Sequence, residues 1–83
     1  MSNEKIIIPA HISIKKYLLG TKNNDEVLLN EAMTELKVNG NDPKLVLKLT
    51  QMLNEAKKAQ KNGTAAEIYA KWEEEIKPYR ENI

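Results

Sequence analysis

The chain has 83 residues, a net charge of +1 from 13 basic and 12 acidic side chains, and no cysteine. A chain of that length buries only about 60–65 % of the surface its unfolded form exposes, so the core is small, and neither a disulfide nor a thiolate-held zinc can reinforce it. The charge balance falls short of the basic excess of a dedicated nucleic-acid binder. The longest apolar runs are far shorter than the roughly 20 residues of a membrane span, and no signal-peptide pattern opens the chain, so the expected location is cytoplasmic.

The opening stretch Glu4–Gly20, EKIIIPAHISIKKYLLG, holds five of the eight isoleucines and the only histidine. Proline fixes φ and biases the residue before it toward extended backbone, so Pro9 divides an extended apolar arm from a short first helix. That helix is expected over about Ala10 to Leu19, with Ile12, Ile14, Leu18 and Leu19 on a broad face and Gly20 as its stop. Adjacent residues of an extended arm point opposite ways. One neighbouring surface therefore cannot cover Ile6, Ile7 and Ile8 together, and a second subunit is the favoured cover.

From Asn24 the apolar spacing turns to three and four. Leu28, Leu29, Ala32, Met33 and Leu36 form one stripe of a second helix, about Asp25 to Val38, with Asn23 and Glu26 as a capping box, Asn24 as the rival cap and Gly40 as the stop. The third helix is expected from Pro43 to Lys61, capped by Asp42 and buried through Leu45, Leu49, Met52, Leu53 and Ala56, with Asn62 and Gly63 ending it. Thr64 and Glu67 make a second capping box for a fourth helix striped by Ala65, Ile68, Tyr69, Trp72 and Ile76. Pro78 ends or kinks it, leaving residues 78–83 as a loose tail or an extra turn.

These readings give one domain over residues 1–83, with residues 1–9 as the arm. The fold class is all-α, a small antiparallel bundle of three longer helices and a short N-terminal one; short connections favour antiparallel neighbours.

Chemistry-bearing motifs are few. His11 has only Ser13 near it in sequence and reads as an incidental, surface or half-buried histidine. Glu73, Glu74 and Glu75 sit about 100° apart on a helix and cannot chelate one ion together, so they read as a solvated face with Glu67–Lys71 and Glu73–Lys77 pairs. The three glycines are scattered, so there is no phosphate loop. No catalytic residue, cofactor or metal is expected.

Charge divides by helix. Residues 43–62 carry five lysines against Glu55 alone, and residues 64–83 carry five glutamates against three basic residues. The commoner reading of such a division is internal complementarity between the third and fourth helices. The alternative makes Lys44, Lys48, Lys57, Lys58 and Lys61 a partner-facing stripe. Trp72 is another candidate anchor, although a tryptophan at core spacing is more often core.

Two DNA-binding patterns compete with protein binding. The segment ELKVNGNDPKLVLKL resembles helix-turn-helix organisation, with Lys44, Lys48 and Gln51 on the outer side of the second helix of the pair. The run I-I-P-x-x-I is similar to the opening of ribbon-helix-helix repressors, which implies paired strands across a dimer. Here Ile7 stands where that family reads bases with a polar side chain. At the level of fold class alone, the chain resembles bacteriocin immunity proteins.

The preferred expectation is a non-catalytic protein-interaction module that acts as a regulator, inhibitor or adaptor of bacterial or phage type. It is expected to be a homo-oligomer, with Ile6, Ile7, Ile8, Lys44, Lys48, Lys57, Lys58, Lys61 and Trp72 as its partner-binding residues. A DNA-binding regulator using the third helix is the disfavoured alternative.

Overall fold

The computed structural model describes residues 8–39 and 42–80. They form an all-α fold of four helices: α1 (Ala10–Asn23), α2 (Glu26–Asn39), α3 (Pro43–Asn62) and α4 (Ala65–Ile76), followed by a 3₁₀ turn, Lys77–Tyr79. The arm residues Ile6 and Ile7 lie outside the described residues, as does Gly40. Ile8 is half-buried and packs against the core.

Helix α1 is neither short nor peripheral. Its 14 residues match α2 and exceed the 12 of α4, and it packs against each of the other three helices. Ile12, Ser13, Ile14, Lys15 and Lys16 are all buried. Five consecutive positions cover every side of a helix, so the first half of α1 is enclosed, while Tyr17, Thr21, Lys22 and Asn23 are exposed. Pro9 starts it from an extended backbone, its carbonyl accepting from the Ile12 and Ser13 amides at 3.0 and 3.3 Å.

Gly20 does not end α1. The helix runs on to Asn23 and stops where Asn24 turns left-handed, φ 55°, ψ 42°, its N–H closing on the Gly20 carbonyl. The glycine is there for space: a Cβ on it would lie 2.8 Å from Leu29 Cγ and 3.1 Å from the Leu29 backbone nitrogen. Helices α1 and α2 therefore meet almost backbone to backbone at this corner. Because Asn24 serves α1, the cap of α2 falls to Asp25, whose Oδ1 accepts from the Leu28 amide at 3.1 Å; the Asn23–Glu26 box is not used.

Helix α3 follows its sequence signals. Asp42 Oδ1 accepts from the Lys44 amide at 2.9 Å, and Gly63 ends the helix at φ 75°, a conformation that suits glycine. The second capping box does not form. Thr64 makes no side-chain cap, because its amide and hydroxyl turn back to the Ala59 carbonyl, at 2.8 and 3.5 Å, and close α3 instead.

The core gathers Ile12, Leu19, Leu28, Ala56, Trp72 and Ile76, with Met52, Ile68, Tyr69 and Tyr79 around it. Trp72 is 1 % exposed and meets Tyr69 edge to face at a centroid distance of 5.5 Å. Two expected stripe members face outward instead: Met33 is 58 % and Leu53 41 % exposed. On α2 the buried line runs through Leu28, Glu31, Ala32 and Glu35, because Glu35 is turned inward to partners on α1.

Candidate functional site

The first polar constellation is interior. Lys16 is fully buried on α1, and its Nζ donates to Glu35 Oε2 on α2 at 2.7 Å and to the Tyr79 carbonyl at 2.8 Å. Ser13, also fully buried, donates to the other carboxylate oxygen at 2.6 Å. One ion pair thus ties α1 to α2 and to the turn after α4. A buried pair of this kind stabilises only when its remaining hydrogen bonds are satisfied, and the serine and the carbonyl do that here. The Ser13 hydroxyl is committed to Glu35 and sealed from solvent. His11, two residues away, lies about 200° around the helix, so the two do not meet.

The second constellation is at the surface. Glu75 on α4 reaches back to α1, where Oε1 lies 3.1 Å from His11 Nε2 and Oε2 accepts from Lys15 Nζ. His11 is half-buried, as the sequence implied, but its partner is 64 positions away and invisible to local reading. The hydrogen bond from Lys15 holds the Glu75 carboxyl below the ordinary value of 4.5. Partial burial opposes this, and the charges of Lys15 and His11 reinforce it. A carboxylate stabilised in the fold contributes stability above its unfolded pKa, and that contribution is lost as pH falls through the depressed folded value. Wild-type protein is therefore expected to lose stability below about pH 4.5 along a steeper limb than Glu75→Gln; acid titrations followed by circular dichroism, coinciding for the two proteins, would contradict this.

Near the chain's other corner, Arg80 Nη2 donates to Asp25 Oδ2 at 2.6 Å. With the Lys16 bond to the Tyr79 carbonyl, this fastens residues 79 and 80. The expectation of a loose tail from residue 78 is corrected to that extent; residues 81–83 lie outside the described residues. No group of three or more side chains able to hold a metal ion occurs among the described residues, and no described helix is long and apolar enough to cross a membrane.

The third feature is the outer face of α3. Lys44, Lys48, Lys57, Lys58 and Lys61 are all exposed, and none of them pairs with an acid among the described residues. No ion pair joins the lysines of α3 to α4 among the described residues. The inward carboxylate of α4 goes to α1, while Glu67, Glu73 and Glu74 are exposed and the Glu67–Lys71 and Glu73–Lys77 pairs do not close. At 100° per residue, Lys48 and Lys57 stand about 180° apart on α3. The lysines therefore flank the helix on two sides instead of forming one stripe. Between and beside them Val46, Leu47 and Leu53 are 60 %, 59 % and 41 % exposed.

Of the sequence-derived binding residues, the structure brings the five lysines onto one helix, where none forms an ion pair among the described residues. It removes Trp72, a core residue whose Nε1 donates to Glu55 Oε1 at 3.2 Å; an enclosed indole presents no face to a partner. Exposed Val46, Leu47 and Leu53 are the addition. The first two stood off the apolar stripe in sequence, whereas Leu53 was assigned to it. No family model, no curated protein and no solved structure matches the chain.

Proposed function

We propose that this protein is a non-catalytic interaction module, a regulator, inhibitor or adaptor that presents the outer face of α3 to another protein. The observation that carries the reading is the exposure on α3 of Val46, Leu47 and Leu53 beside lysines that pair with no acid among the described residues. Exposed apolar side chains grouped together and rimmed by polar ones mark interaction surfaces. The reading takes the helices as a small antiparallel bundle, and assigns self-association to the apolar arm, Ile6, Ile7 and Ile8, which leaves α3 free for the partner. Nucleic acid is the weaker occupant, because lysines on opposite sides of α3 do not line up on one phosphate track, and the single arginine is engaged with Asp25.

Sedimentation velocity over a range of concentrations, with titration of random duplex DNA at about 50 mM salt, tests this proposal. The expected result is a reversible dimer that Ile7→Lys dissociates without unfolding, and no DNA binding. A strict monomer would remove the self-association, and salt-sensitive binding of duplex would replace protein with nucleic acid as the partner.

A further inference from the structure

One flank of α3 carries more information than the rest. Val46, Thr50, Leu53, Lys57 and Lys61 follow each other at spacings of four, three, four and four, which confines them to an arc of about 80° over roughly 22 Å of helix. All five are exposed. The N-terminal half of this line is apolar and the C-terminal half basic. The only acid of α3, Glu55, lies outside the arc and accepts from the Trp72 indole, and neither lysine forms an ion pair among the described residues.

From this we infer that the flank seats an acidic amphipathic helix from another protein, with apolar side chains against Val46 and Leu53 and carboxylates against Lys57 and Lys61. The inference rests on the interaction-module reading and names the chemistry of the partner. Helix-on-helix docking takes anchors at spacings of three and four, which is the pattern offered here. Charge selects the occupant. A second copy of α3 laid parallel sets lysine on lysine, and laid antiparallel it drives Lys57 and Lys61 onto the apolar half. The outer face of α4 in a second copy brings exposed Glu67, Glu73 and Glu74 but only Ala66 and Ala70 between them, too little to cover Val46 and Leu53. That α3-to-α4 contact is also head-to-tail, and such contacts form rings or propagate into filaments.

The probes are three designed peptides of about 18 residues, long enough to span the flank: leucines at spacings of three and four on a glutamate background, the same pattern on a lysine background, and a scrambled version of the acidic peptide. Each is titrated into the isotope-labelled full chain and followed by NMR. The acidic amphipathic peptide is expected to bind, with shift changes centred on Val46, Leu53 and Lys57. The lysine twin is expected not to bind, and the paired substitution Leu53→Glu with Lys57→Glu is expected to weaken the complex by at least about tenfold, with circular dichroism confirming that this exposed variant folds. Equal binding by the scrambled peptide, preferential displacement by duplex DNA, or shifts confined to other surfaces would overturn the inference. If the acidic peptide leaves α3 unchanged while a dimer interface responds to dilution, this inference fails and the interaction-module reading stands. If no peptide, duplex or second copy binds, both fail.

Discussion

Replacing Glu35 with leucine is expected to destabilise the protein by about 3–5 kcal/mol, a large part of the roughly 5–15 kcal/mol that holds a small domain folded. The cause is what the substitution leaves behind. Lys16 is 0 % exposed and would be left with only the Tyr79 carbonyl as a partner, while the Ser13 hydroxyl would lose its acceptor. The interior is costly for an ammonium group without a counter-ion, whereas removal of both charges is often neutral or stabilising. The triple variant Ser13→Ala, Lys16→Met, Glu35→Leu is therefore expected to recover most of the loss, since no charge is then left unpaired and only the Tyr79 carbonyl loses its side-chain donor. Chemical denaturation of the single and triple variants measures both. Equal instability in the two would show that the loss comes from disturbed packing and not from an orphaned charge.

The second large effect is expected at Gly20, where the direction runs against helix propensity. In an exposed helix interior, glycine to alanine gains about 1 kcal/mol. At Gly20 the added methyl would stand 2.8 Å from Leu29 Cγ and 3.0 Å from Cδ2, and overpacking of this kind typically costs about 1–3 kcal/mol. Steric crowding wins, so Gly20→Ala is expected to be less stable than wild type. Adding Leu29→Ala removes the clashing branch, so the two substitutions should couple: the double variant should be more stable than the sum of the single effects implies. Strict additivity in urea melts would refute the close approach of α1 and α2.

Much of the secondary structure was legible because its signals are local. Asp42 and Pro43 start α3 and Gly63 stops it through contacts within five residues, and spacings of three and four sufficed to identify each helix. What local reading missed is tertiary. Asn24 and Thr64, read as caps of the helices that follow them, close the helices that precede them instead, and Asp25 takes over as the cap of α2. Lys15, Lys16 and Glu35 look in sequence like members of a wet face. Their partners lie 60, 19 and, for the Glu35 bond to Ser13, 22 positions away, distances at which periodicity is silent. The candidate surface was half legible: the lysines of α3 stood out by composition, but their freedom from α4 and the exposure of Leu53 depend on how the helices pack.

The central place of α1 bears on how the chain is made. Of the four described helices α1 is made before the three that pack on it, and Ile12 and Lys15 await Trp72, Glu75 and Ile76, some sixty residues behind them. Local helices form in microseconds or less, but contacts of such sequence separation are paid for in loop-closure entropy. Until α4 emerges, α2 and α3 can pack on α1, but Ile12 and Lys15 still lack the α4 side chains that complete their surroundings.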